Sequence, residues 1–168
     1  GWSYQWNKAG TLEWYIYESK LNAIELNMSY YRFPYTNMVK SWARRGASLA
    51  WVVKVHKSIT HDNKLKPPSY DIFKKFIKQF TPLREVIHYY LLQLPKSFND
   101  LEVLQNFVEE FKDVPIAVEF RNNAMYSGDV RTWAFRDRVV VVSVDAPGFP
   151  GVVMCNSVIY LRMHGRTQ

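Results

Sequence analysis

Hydrophobic positions along the chain switch period repeatedly, from the three-to-four spacing of a helix face to the short apolar runs of a buried strand. Thr11 is placed to cap a helix running to about Ser19, and residues 23–28, Ala-Ile-Glu-Leu-Asn-Met, then read as a strand. Met38, Val39, Trp42 and Ala43 recur at helical spacing before a β-rich run at residues 49–55. The Pro67-Pro68-Ser69 stretch opens the clearest helix, with Ile72, Phe73, Phe76, Ile77 and Phe80 on one stripe and Lys74, Lys75 and Lys78 away from it. Such a stripe needs a sheet to lie on.

Residues 87–94 predict the next strand, ended by Pro95, which has no N–H to give to a ladder. Asn99 or Asp100 then caps a helix carrying Leu101, Leu104, Phe107, Val108 and Phe111 on one face. Residues 115–120 and 139–144 read as strands on either side of a helix-like segment at 130–136, and residues 158–163 as a sixth strand. The run of four valines at 139–142 is apolar on both faces, as buried parallel strands are. Strand and helix alternate with no linker or composition shift between them. The expected architecture is therefore one domain over residues 1–168, an α/β fold of βα units with a parallel sheet.

The strands share a second regularity. Each ends in polar or charged residues: Glu25 and Asn27; Lys54 and His56; Gln93; Glu119 and Arg121; Asp145; Arg162 and His164. Side chains alternate across a strand, so Glu119 and Arg121 fall on one face, Lys54 and His56 on one face, and Tyr160, Arg162 and His164 on one face. A parallel (β/α) barrel gathers such carboxyl-terminal strand ends into one pocket.

Composition narrows the function classes. The 168 residues are 48% hydrophobic and 22% charged, ordinary for a globular domain, and charges interrupt every apolar run well before the roughly 18 residues of a membrane span. The first residues, beginning at Gly1, carry no signal-peptide pattern, and Cys155 is the only cysteine; it reads as a buried structural thiol in a reducing, cytoplasmic protein. The net charge of +7 permits an anionic partner, a small molecule or nucleic acid, although most basic residues are dispersed over helix faces. No Gly-rich phosphate loop, dinucleotide fingerprint or G-x-S-x-G elbow occurs, which disfavours nucleotide-dependent redox chemistry and serine hydrolysis.

Seven motifs stand in order along the chain: Gly1-Trp2-Ser3-Tyr4; Ile24-Glu25-Leu26-Asn27 with Tyr30-Tyr31-Arg32; Val53-Lys54 with Ile59-Thr60-His61; Leu92-Gln93-Leu94-Pro95; Val118-Glu119-Phe120-Arg121; Asp145-Ala146-Pro147; and Tyr160-Leu161-Arg162-Met163-His164-Gly165. Together they resemble the domain of unknown function 72, or YecE-like, family over essentially the whole chain. The resemblance implies a TIM-barrel-like fold. It also implies one strand before the Gly-Trp-Ser-Tyr motif and another after His-Gly, so these 168 residues read as a barrel lacking its first and last strands. It implies no settled biochemistry.

Two readings of the strand-end charges follow. In one, Glu25, Glu119 and Asp145 pair with Lys54, Arg121 and Arg162 as a structural network, because burying such groups unpaired costs several kcal/mol each. In the other, the pocket is a hydrolase or lyase site for an anionic, possibly phosphorylated substrate. Glu119 is then the acid or base and His164 a second catalytic candidate, with Glu25, Asn27, Lys54, His56, Gln93, Arg121, Asp145 and Arg162 as substrate contacts. His56, His61, His164, Glu25, Glu119 and Asp145 are also metal-ligand types, so a divalent metal is open, though no ligand-spacing motif supports it and the cations would repel it. A non-catalytic alternative is a nucleic-acid-binding barrel that uses its basic surface and the rim aromatics Trp2, Tyr4, Trp6, Tyr30 and Tyr31.

Overall fold

Residues 1–149, 151–154 and 157–165 are described by the structure, a computed structural model. Among the described residues, seven strands and five α-helices follow in the order α1 (Leu12–Glu18), β1 (Ala23–Leu26), α2 (Thr36–Arg45), β2 (Ala50–Lys54), α3 (Ser69–Gln79), β3 (Ile87–Leu94), α4 (Leu101–Glu110), β4 (Ile116–Phe120), α5 (Gly128–Arg136), β5 (Val140–Val141), β6 (Ser143–Asp145) and β7 (Leu161–Met163). β1 to β5 form a parallel sheet in sequence order, and β6 pairs with β7, also in parallel. The architecture is α/β, as the alternating period predicts, and TIM-barrel-like, as the resemblance implies.

Local chemistry sets the helix ends. Thr11 accepts from the Trp14 N–H, Asp100 from Val103 and Ser127 from Val130, each side chain satisfying an N–H that the first turn leaves free. The expected strand at residues 139–144 is interrupted. Val142 still donates to the Val118 carbonyl of β4, but the next residue, Ser143, donates to Tyr160 beside β7. One strand thus changes partners at a single residue and hands the curved sheet on from β4 to β7. A four-valine run gives no sign of this, because apolar pattern reports burial and not which neighbour supplies the hydrogen bond. The last strand is also shorter than residues 158–163, with only Leu161–Met163 in the ladder.

Two apolar layers result. The larger lies between sheet and helices, where Phe73 of α3 is fully buried against Phe76, Tyr90, Phe107 and Phe111. The smaller fills the concave side, where Leu91, Ala117, Val140 and Val142 are buried with Val52, Tyr89, Val158 and Tyr160 packed around them. This inner layer is the floor on which the polar strand ends stand.

Candidate functional site at the strand ends

Polarity rises along each inward-facing row. On β3 the row runs Tyr89, Leu91, Gln93, and on β4 Ala117 and Glu119 followed by Arg121, with Leu91 level with Ala117 and Gln93 level with Glu119. The first members join the apolar floor and the last ones meet above it. Glu119 sits at the centre, with no exposed surface. Its Oε1 accepts from Gln93 Nε2 at 2.9 Å, forms an ion pair with Arg121 Nε at 2.8 Å and lies 3.1 Å from His164 Nε2, while its Oε2 accepts from Arg162 Nη1. Four polar partners on one buried carboxylate offset the desolvation that would otherwise make it untenable.

Arg162 joins the two sides of the curved sheet. Its Nη2 and Nε donate to Glu25 of β1 at 2.8 and 3.0 Å, a bidentate fork, while Nη1 reaches Glu119 of β4. Burial alone would lower the Arg162 pKa, but the two carboxylates raise it above the ordinary arginine value. Burial likewise works to raise the Glu25 carboxyl, yet Arg162, the donating Tyr160 hydroxyl and Asn27 hold it below the ordinary range. The Tyr160 phenol is pushed up, by burial first and then by the charge of Glu25.

At the open edge, His164 presents its Nε2 to Glu119, and its Nδ1 lies 3.4 Å from Arg121 Nη2. The tautomer that satisfies both contacts carries its proton on Nε2. Burial lowers the His164 pKa; Glu119 opposes this and the Arg121 and Arg162 charges add to it, so the ring is neutral at pH 7. Lys54, at the end of β2, holds its ammonium 4.3 Å from the centroid of the Tyr30 ring. No carboxylate among the described residues lies within ion-pair distance of it. Burial lowers its pKa first, followed by repulsion from Arg162; Glu119 and Glu25 oppose that, and Arg121 lowers it further. Tyr30 is held in place because Ser29 Oγ donates to the Lys54 carbonyl at 2.6 Å, tying the turn after β1 to the end of β2.

Of the ten strand-end residues singled out in the sequence, Glu25, Asn27, Lys54, Gln93, Glu119, Arg121, Arg162 and His164 come together here, and two do not. Asp145 is aligned with Met163, whereas Val144 is aligned with Arg162, so Asp145 stands on the other face of its strand, in step with Val139 and Val141 of the helix-side core and not with Val140 and Val142 of the inner layer. His56 lies beyond the end of β2, where strand alternation no longer applies. Its Nδ1 lies 2.8 Å from Ser58 Oγ and its ring packs edge-on against Phe33, which rests on Phe76 in the helix layer. The expected pairing also changes: Glu25 and Glu119 pair with Arg162 and Arg121, not with Lys54.

His61 belongs to the site although only its residue type marked it. It lies in a π-helical turn, Ser58–Asp62, that no periodicity announces, with its ring edge-on to Tyr30. Burial lowers its pKa, and the Lys54 charge lowers it further. The rim aromatics divide: Trp2 packs edge-on against Trp42 and Trp51 in the helix-side core, while Tyr31 is 70% exposed. Among the described residues no group of three or more His, Cys, Asp or Glu side chains could hold a metal ion, and the oxygens of Glu25 and Glu119 are committed to guanidinium groups. Cys155 lies outside the described residues. A cleft of about 570 Å³ opens at the opposite ends of β3 and β4, but its charges are surface ones, with Lys74 paired to Glu110 and Arg84 to Glu85.

A parallel sheet with helices on its outer side and a charged cluster at its carboxyl-terminal edge defines a TIM-barrel-like protein with a strand-end site. The chain belongs to the family described as Protein of unknown function DUF72, whose profile matches residues 1–168. Among solved structures it is similar to a DUF72 family protein from Enterococcus faecalis V583, at 25% identity and a TM-score of 0.73, over 90% of this chain and 69% of that one. A second crystal structure of that protein matches at 25% identity and a TM-score of 0.76, over 93% and 64%. A DUF72 family protein from Thermotoga maritima MSB8 shares the fold at 24% identity and a TM-score of 0.77, over 100% of this chain and 73% of that one. No curated protein matches significantly. No described helix is long and apolar enough to cross a membrane.

Proposed function

We propose that the strand-end site binds a small anionic substrate, phosphorylated or carboxylated, and acts on it as a hydrolase or lyase in a cytoplasmic setting. The observation that carries this reading is a charge imbalance. Three cations, Lys54, Arg121 and Arg162, face two carboxylates, Glu25 and Glu119, and Lys54 has no carboxylate partner among the described residues. An anion entering at the open edge would meet Lys54 and the outer face of Arg121, whose side chain is 32% exposed. Arg162 is consumed by its carboxylates and serves as the frame.

Roles follow from availability. Both oxygens of Glu119 are occupied by donors, so it positions Arg121, Arg162 and His164 and is not free to take a proton from substrate. His164, neutral and at the edge, is the group able to exchange a proton, at Nδ1, where only the long 3.4 Å contact to Arg121 has to give way, and Arg121 is the group to hold the anion. Titration calorimetry with inorganic phosphate tests the binding half. Wild-type protein should bind, and Arg121→Gln should weaken binding about tenfold or more, as expected for losing one charge-assisted contact. Equal affinity in the two proteins would refute the assignment. Exposed Tyr31, edge-on to Tyr30 above Lys54, favours nucleic acid as a second reading; single-strand affinity would then fall steeply with salt and with Tyr31→Ala.

A further inference from the structure

Lys54 does not behave as a structural cation would. A half-buried lysine retained for stability is expected on a carboxylate, and two carboxylates stand in its own pocket, yet their oxygens are committed to Arg162, Arg121, Gln93, His164 and Tyr160. Its ammonium faces instead the flat side of Tyr30, in the field of two guanidinium groups. Desolvation and neighbouring cations lower its pKa, against the opposing charges of Glu119 and Glu25, so the resting ammonium gives up its proton to become a nucleophile more readily than a surface lysine does. The surrounding geometry holds its stem in place: Ser29 fixes the backbone of Lys54, and Leu91, level with it on β3, closes the floor beneath.

We propose that Lys54 is a nucleophile that forms an imine with the carbonyl carbon of an anionic aldehyde or ketone, the anionic group being held by Arg121. The inference rests on the anion site proposed above and selects its lyase arm. In the first step the lone pair of Lys54 Nζ forms the C–N bond, the carbonyl π pair moves to oxygen, and that oxygen takes up a proton while nitrogen releases one. In the second step the hydroxyl is protonated and leaves as water, giving the iminium ion. No oxidant, reductant or metal is needed for this balance. The iminium then draws electrons from an adjacent C–C or C–H bond, the feature that suits it to bond cleavage next to a carbonyl.

The test is borohydride trapping on the full chain. Protein is incubated with pyruvate, with dihydroxyacetone phosphate, or with uncharged dihydroxyacetone, reduced with sodium borohydride, and mapped by peptide mass spectrometry. The expected result is an adduct on Lys54 at least about tenfold above that on surface lysines. It should form with the anionic carbonyls in preference to the uncharged one, decrease when inorganic phosphate competes, and be absent from Lys54→Arg. Equal labelling of Lys54 and surface lysines across pH 6 to 9, or no preference for the anionic probes, overturns the proposal. Phosphate binding measured on the same protein separates the two failures. Binding without an adduct overturns the imine and leaves the anion site standing, whereas neither binding nor adduct overturns both.

Discussion

Glu119→Gln changes one buried atom and tests the central claim that this carboxylate holds the strand ends together. The substitution keeps volume but removes the charge facing Arg162 and Arg121 and turns one of two acceptor oxygens into a donor that must point at another donor. Breaking a buried pair by neutralising one partner costs about 3–5 kcal/mol. Two features reduce that here: Arg162 keeps its fork on Glu25, and Arg121 is partly exposed, so solvent screens its share. A loss of about 2–4 kcal/mol remains, equivalent to roughly 5–15 °C in Tm for a chain of this size. Urea denaturation followed by circular dichroism reads the change, with an unchanged m-value showing that the same folded state is being compared. A loss below about 1 kcal/mol would refute the reasoning, since it would mean that the four donors find equal partners without the carboxylate. A further check is Arg162→Gln in the Glu119→Gln background, which should cost less than it does in the wild type, because the two groups share one interaction.

Two other predictions concern stability. His56, His61 and His164 all have pKa values lowered by burial, so the unfolded chain binds protons more readily than the folded one as pH falls below about 6.5. The stability they contribute is complete above that pH and is lost on acidification through their folded values. Urea midpoints between pH 5 and 8 should show this slope, and a His164→Gln variant should flatten it; a midpoint independent of pH in that window would contradict the assignment. Gly46→Ala should destabilise by about 1–3 kcal/mol, since a Cβ there would stand 2.7 Å from Trp51 Cζ2, on an indole fixed by its 2.8 Å bond to the Gly46 carbonyl. A thermal scan showing no shift would mean that Trp51 can move aside.

The sequence by itself determined the layers. Apolar period depends only on which side chains avoid water, so the stripe of Phe73 and Phe76, the caps Thr11 and Asp100, and the strand at Ile87–Leu94 were all legible from local pattern. The polar strand ends were legible for the same reason: a charged residue closing an apolar run in a parallel strand lies at the carboxyl-terminal edge of the sheet, where the pocket forms. Tertiary structure alone decided who meets whom. Glu25 and Arg162 are 137 positions apart and come together because the sheet curves; nothing in the local sequence of either names the other. Asp145 shares the face of Val139 and Val141, the helix side, which a run of four valines does not distinguish from the inner one, and the end of β2 turned His56 towards Phe33. Which face of an all-apolar run turns inward is set by packing against other elements, and where a ladder stops is set by hydrogen bonds to other strands. The same long-range geometry left Lys54 on an aromatic face between cations, with the carboxylates that could have paired with it already committed.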